Sequence, residues 1–171
     1  MGMDVYGKNP ASETGEYFRN NVWWWRPLWE YCIDVAPELT SDVSGHYNDG
    51  DGLDADGAQE LARILLEELE SGNTAKFEEA YRMEMASLPR HDCKYCGATG
   101  IRTDEIGAEM RMPDKELEEH VAIALGRTHG WCNACGGEGK VDDHRASYPF
   151  SAENVRAFAE FLEQSGGFSI Y

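Results

Sequence analysis

Two stretches of this chain repeat one short pattern. The first is Cys93-Lys94-Tyr95-Cys96-Gly97-Ala98-Thr99-Gly100 and the second is Cys132-Asn133-Ala134-Cys135-Gly136-Gly137-Glu138-Gly139. The second reads C-x-x-C-x-G-x-G in full, and the first departs from it only at Ala98. Two thiolates separated by two residues can turn onto one ion about 2.3 Å away, and two such pairs complete a four-coordinate zinc. The glycines permit positive φ, so the backbone can wrap the sulfurs and aim N–H groups at them. Disulfides or a C-x-x-C redox pair are the competing uses of such cysteines. Two matched, glycine-bearing copies fit metal-site spacing better than a lone pair would, so Cys93, Cys96, Cys132 and Cys135 are expected to hold one structural zinc. Four thiolates leave no open coordination position, and such a site staples a chain without catalysing a reaction.

The repeated pattern resembles the cysteine-rich zinc domain of the DnaJ chaperones over residues 93–139. That family carries four repeats and two zincs, so the resemblance implies one zinc for the two repeats here. The His-Pro-Asp tripeptide of the J-domain has no counterpart, because His91-Asp92 lacks the proline. Chaperone function therefore does not carry over.

Charge excludes a second class of function. Lys and Arg number 15 against 32 Asp and Glu, a net charge of −17. Residues 1–89 hold 18 acids and 6 bases, whereas residues 90–171 hold 14 and 9. Such a chain repels a phosphate backbone, so direct nucleic-acid binding is not expected; the charge reads first as solubility, and otherwise as an acidic face that meets a basic protein partner or imitates nucleic acid. There is no apolar run of about 18 residues that would span a membrane. Met1-Gly2-Met3-Asp4-Val5-Tyr6 lacks the basic start and apolar stretch of an export signal, and Tyr6 stands where a myristoylated chain wants Ser or Thr. With four cysteines assigned to metal, the expected compartment is a reducing cytoplasm. The fifth cysteine, Cys32, reads as a small buried apolar residue.

Residues 3–7 alternate as a short strand, and Ser12–Gly15 as a turn. Trp23, Trp24, Trp25 and Trp29 follow. From Trp25 the apolar positions Leu28, Trp29, Cys32, Ile33 and Ala36 fall on one helical stripe. Pro27 is best tolerated in a first turn, so the spacing predicts a helix from near Trp25 to just before Pro37, with Asn20-Asn21 as a cap or turn. Trp23 and Trp24 would precede it on different sides. With Arg26 they are candidate anchors for a partner, since Trp and Arg dominate binding hot spots.

An acidic loop, His46 to Gly57, looks like a calcium loop at first glance. Taking Gly57 as the loop glycine puts Gly52 first and Arg63 last; taking Gly52 puts Tyr47 first and Ala58 last. Neither frame supplies the EF-hand ligands, so Ca²⁺ is not expected there. Asp49, Asp51, Asp54 and Asp56 with His46 are still enough ligands on paper for Mg²⁺. The simpler reading is a Gly/Asp turn with Asp54 or Asp56 capping the next helix. That helix is predicted over about 55–70, with Ala58, Leu61, Ala62, Leu65, Leu66 and Leu69 inward. A third, over about 75–88, would be capped by Thr74, with Phe77, Ala80, Tyr81 and Leu88 inward, and would form an antiparallel hairpin with the second.

Between the knuckles, Ile101–Thr103 reads as a strand, 104–112 as loop, and 114–125 as a helix with Leu117, Val121, Ala124 and Leu125 inward. His120 and His129 are the spare ligands in this region. Lys140-Val141 reads as a short strand. Ser151 caps a last helix, with Phe150 and Val155 as a hydrophobic staple, Phe158, Ala159 and Leu162 inward, and Gly166-Gly167 as terminator. Phe168–Tyr171 alternates as a strand that would pair with residues 3–7.

The expected fold class is α+β: a mostly helical single domain with a small sheet from the chain termini and one four-cysteine zinc-knuckle pair. Residues 1–89 form the Trp-rich helix, acidic loop and helical hairpin. Residues 90–141 are a zinc-knuckle insert, and residues 142–171 return a helix and strand to the first part. No nucleophile triad, phosphate loop or dinucleotide fingerprint is present. The whole chain, most clearly in Tyr17–Trp29 and Asn48–Leu53, resembles small proteins of bacteriophages and their bacterial hosts for which no activity is assigned. The resemblance implies a phage-borne setting only. The leading expectation is a non-enzymatic acidic binding protein acting on a host protein, with Trp23, Trp24, Arg26, Asp49, Asp51, Asp54 and Asp56 as its partner-binding residues. The alternatives are a metal-dependent hydrolase using the loop 46–56, and a structural or assembly protein.

Overall fold

The computed structural model describes residues 2–171, so Met1, the first residue of the N-terminal stretch read above, lies outside it. The chain is α+β and forms two compact units. One holds the residues up to Ala86 together with Ser147–Tyr171; the other is the intervening Ser87–Ala146. In chain order the strands are β1 (Gly2–Gly7), β2 (Tyr17–Asn21), β3 (His91–Asp92), β4 (Lys140–Val141) and β5 (Phe168–Ile170). The helices are α1 (Val22–Val35), α2 (Pro37–Thr40), α3 (Ala55–Glu70), α4 (Asn73–Ser87), α5 (Glu105–Glu109), α6 (Glu119–Leu125) and α7 (Ala152–Ser165).

The first unit is built on an antiparallel sheet of order β2-β1-β5. Val5 pairs with Phe18 on one side and Ile170 on the other, so the termini meet as the alternation of both segments requires. Met3, Val5, Phe168 and Ile170 are buried, while Tyr6 and Tyr17 pair on the opposite, wet face. Strand β2 is an addition to the sequence reading. Its inward positions, Phe18 and Asn20, alternate with outward Tyr17, Arg19 and Asn21, a pattern hidden by the tryptophans that follow.

Helix α1 starts at Val22, three residues before the expected position, and so contains Trp23 and Trp24. The Asn21 side chain accepts from the Trp23 and Trp24 N–H groups at 3.0 and 3.1 Å, which fixes the start there. Pro27 then lies in the helix interior and has no N–H to offer the Trp23 carbonyl. Such a proline costs about 3 kcal/mol. Burial of Trp25, Leu28, Trp29 and Tyr31 outweighs it, at about 1.5–3 kcal/mol for each large side chain. Trp25 and Trp29 stack at 5.7 Å, and Trp25 meets Phe158 of α7 edge-on at 5.4 Å. The Trp25 Nε1 donates to the Gly45 carbonyl at 2.6 Å, tying the following loop to the core.

Helix α3 has the predicted bounds, with the Asp54 side chain accepting from the Gly57 N–H. Its principal partner is α7. Thr74 is not a cap but a buried residue of α4, where its hydroxyl meets Tyr31 at 3.0 Å. Phe77 and Tyr81 gather on Phe150, and Phe77 also touches Tyr31, leaving Ala80 exposed. Aromatic packing thus seats α4 on the core. Helix α7 is capped by Ser151, which accepts from the Asn154 N–H, and closes at Gly166 with φ 60°.

In the second unit, β3 and β4 pair antiparallel, but Ile101–Thr103 is not a strand. Part of the expected loop is α5, capped by Asp104. Helix α6 begins at Glu119 instead of 114, because the preceding segment is occupied elsewhere. The Leu117 N–H donates to Thr128, Gly130 to Lys115 and Trp131 to Met112, so the backbone of 112–117 is bound to 128–131 and cannot be helical.

A Cβ on Gly45 would lie 1.9 Å from the Trp29 indole. Gly45→Ala is therefore expected to lower the stability of the first unit by about 2 kcal/mol or more in urea unfolding followed by tryptophan fluorescence. A change under about 0.5 kcal/mol, the range of a neutral surface substitution, would contradict this seating of the loop on the core.

Candidate metal centre

The two knuckles have the same backbone. In the first, Gly97, Ala98 and Gly100 take φ of 57°, 65° and 74°; in the second, Gly136, Gly137 and Gly139 take 60°, 82° and 79°. Ala98, the departure from the repeat, adopts the left-handed conformation its glycine counterpart adopts and carries the strain of doing so. The last glycine of each knuckle is required by its twin. A Cβ on Gly100 would lie 2.1 Å from the Gly137 carbonyl oxygen, and one on Gly139 would lie 2.3 Å from that of Ala98. Each loop therefore rests on the other.

This packing brings four sulfurs together. The Sγ atoms of Cys93, Cys96, Cys132 and Cys135 all lie within 4.8 Å of one another, and all four residues are buried. The Cys93–Cys132 and Cys96–Cys135 separations are both 3.8 Å. A tetrahedron with metal–sulfur bonds of about 2.3 Å has edges of about 3.8 Å. The Gly100 N–H donates to Cys96 Sγ and the Gly139 N–H to Cys135 Sγ, each at 3.2 Å, as the repeated glycines suggested. Burial opposes ionisation of these thiols. At Cys93 it is outweighed by the Tyr95 and Cys96 N–H groups and the neighbouring thiols, and the value comes down to about 7; at Cys135 burial prevails and pushes it up to about 12. Thiols this close cannot all ionise unless a cation takes up the charge. The donor set thus suits one metal ion with every position filled by sulfur. His120 and His129 are exposed and stand outside this group.

Two arginines that spacing did not mark hold the knuckles in place. Arg127 donates to the carbonyls of Thr99 and Gly100 in the first knuckle and of Gly137 in the second. Arg102, only 7% exposed, binds Asp104 through two nitrogens and Asn133 Oδ1 at 2.9 Å, with its guanidinium over the Tyr95 ring. Neither residue belongs to a periodic stripe or a motif; only their place beside the repeats could have drawn attention to them. On the outer side, the Cys93 N–H donates to Gly139 at 2.8 Å, and Lys140 pairs with Asp92.

The other candidate residues are dispersed. Asp51 accepts from the Ser44 and Gly52 N–H groups, Asp49 from the Asp51 N–H and Asp54 from the Gly57 N–H, while Asp56 lies exposed in the first turn of α3. His46 faces Glu30 at 2.9 Å. Asp49, Asp51 and Asp54 serve as backbone caps, and among the described residues the five side chains form no cluster of three metal-ligating groups. The loop backbone has a second role: Gly50 donates to Ile170, Ile170 to Asp51, and Phe168 to Leu53, so the loop closes the free edge of β5. Trp23 is 46% exposed and leans on Tyr148 at 4.8 Å; Trp24 is half-buried and Arg26 exposed. Cys32 is buried, and burial holds its thiol far above the usual range. Among the described residues no helix is long and apolar enough to cross a membrane.

No protein-family model matches the chain, no curated protein matches it, and no solved structure matches it.

The full chain is expected to carry one equivalent of metal and to lose it in Cys132→Ser. On chelation, residues 87–146 should become sensitive to protease while the urea transition of the tryptophan core persists; a metal-free protein with 87–146 still protected would contradict the assignment. Asp51 yields a second prediction. The Ser44 and Gly52 N–H groups hold its carboxyl below the ordinary range, so its contribution to stability is present above about pH 4 and lost as pH falls through the folded value. Asp51→Asn should therefore lose less stability than the parent chain between about pH 6 and pH 3. Parallel losses in urea unfolding would exclude this role.

Proposed function

We propose that this chain is a zinc-stapled, non-enzymatic binding protein whose acidic unit meets a basic protein partner. Zinc is the metal that best suits four thiolates at tetrahedral spacing in a closed site. It would make residues 93–139 a two-repeat relative of the DnaJ-type cysteine-rich domain, with a purely architectural task.

The observation that carries the binding reading is the division of charge between the units. The unit of residues 1–86 and 147–171 holds 21 acids and 7 bases, a net charge of −14, whereas Ser87–Ala146 holds 11 and 8, a net charge of −3. A field so concentrated raises association rates with a basic surface and repels nucleic acid. The same unit presents Trp23 against Tyr148, with Arg26 exposed on the same helix and without an ion pair among the described residues. Trp and Arg so placed are fit to anchor a contact that charge has steered. A phage-encoded protein acting in the bacterial cytoplasm on a host enzyme, by blocking or by imitating nucleic acid, would use such a surface.

The test is capture of partners from a bacterial lysate on the immobilised full chain at two salt concentrations, with zinc measured on the same preparation. Captured protein should be basic and fall at least about tenfold in affinity between 50 and 500 mM salt, and Trp23→Ala with Arg26→Ala should weaken it again by about tenfold. Capture that ignores salt and both substitutions would overturn the proposal.

A further inference from the structure

Helix α6 has the sequence Glu119-His120-Val121-Ala122-Ile123-Ala124-Leu125, five of its seven residues apolar and consecutive. Its pattern predicts an inward face, yet none of its residues is buried. Ile123 is 74% exposed, the most of any large apolar side chain among the described residues. Isolated exposed apolar residues are ordinary on protein surfaces, but here they border a cavity. A groove of about 570 Å³ runs along the helix, with Leu117, Ala122 and Ile123 as its apolar lining and Glu116, Glu119 and Arg127 among its polar residues.

The rim is anionic. Arg127 spends its guanidinium on the three knuckle carbonyls, which leaves Glu116 and Glu119 as the charges that face solvent there. Glu118, at the cap of the helix, adds a third carboxylate, 3.6 Å from His120. The groove therefore combines an apolar floor with acidic edges. That pairing suits a segment with an apolar anchor flanked by lysine or arginine, and disfavours an acidic or purely apolar one. The footing is firm, because α6 ends at Gly126 with φ 63° and the next residue, Arg127, is locked to both knuckles.

We propose that the α6 groove docks a basic amphipathic segment of the partner protein. This rests on the reading of the partner as basic, and it adds a second contact, on the metal-bearing unit, to the one around Trp23. The metal then has a consequence for recognition: it fixes the loops that Arg127 grips, and so the groove that Arg127 helps line.

The test uses the ¹⁵N-labelled full chain loaded with zinc and two synthetic helical peptides, one of leucine and lysine, the other of leucine and glutamate. The leucine–lysine peptide should give saturable amide shifts at Leu117, Ala122, Ile123 and Gly126, and the leucine–glutamate peptide should not. Ile123→Asp should weaken binding at least about tenfold, and Glu119→Lys should weaken it too while zinc content stays at one equivalent. The proposal is overturned if both peptides bind alike, or if shifts appear only around Trp23 and Arg26. The latter result would leave the basic-partner reading standing without the groove. It is also overturned if the chain self-associates through this face in sedimentation and Ile123→Asp abolishes that, because the occupant is then a second copy. Shifts in residues of the other unit on Ile123→Asp without peptide would likewise overturn it, since the face would be covered within the chain.

Discussion

The segment from Ser87 to Ala146 buries almost no hydrocarbon. Its central cluster is four cysteines with Val141 packed beside them, and Met112 and Leu117 are its remaining buried apolar side chains. A domain of this size ordinarily needs a staple of some kind. Here the sulfurs take the place of a core, and everything around them serves their approach. The left-handed residues turn the loops, the terminal glycines let each loop touch the other, and Arg127 and Arg102 bind the loops from behind. Because the thiols must give up protons to bind a cation, uptake of an ion by this site would be coupled to the folding of the segment.

The other unit depends on a different device. Its core is aromatic: Trp25, Trp29, Phe158, Phe161 and Phe168 meet one another in stacked and edge-on pairs, and aliphatic residues of α3 complete the cluster. The pairs carry burial and orientation together. This core is strong enough to hold a proline inside α1, a result that local preference alone opposes, and it gathers α4 onto Phe150. The acidic loop then performs backbone duty, capping N–H groups with carboxylates and closing the edge of β5.

How much of this was legible varies with the range of the interaction. The knuckles were legible because metal geometry imposes a spacing on the residues themselves. The bounds of α3 and α7 were legible because caps, stripes and stops agreed at Asp54, Ser151 and Gly166. The start of α1 was misplaced because a local rule about Pro27 was set against a cap at Asn21 and a buried stripe, and tertiary burial decided the contest. The extent of α6 was misjudged because hydrogen bonds from 112–117 to 128–131 have no signature in either segment alone. Arg102 and Arg127 were missed for the same reason: their partners are carbonyls and amides brought near by the fold, and backbone acceptors leave no trace in residue type.

The aromatic unit is discontinuous in sequence, with the cysteine-bearing segment inserted between its two parts. Strand β5 and helix α7, which complete its sheet and fill its core, leave the ribosome after every cysteine of the knuckles has emerged. During synthesis the inserted segment is therefore complete while α1 and α3 still lack their main packing partner. Chain layout thus sets the order of emergence: the cysteine-bearing segment is complete before the helix and strand that cover the tryptophans. A nascent chain stalled in that interval would be the species most open to aggregation or to a chaperone.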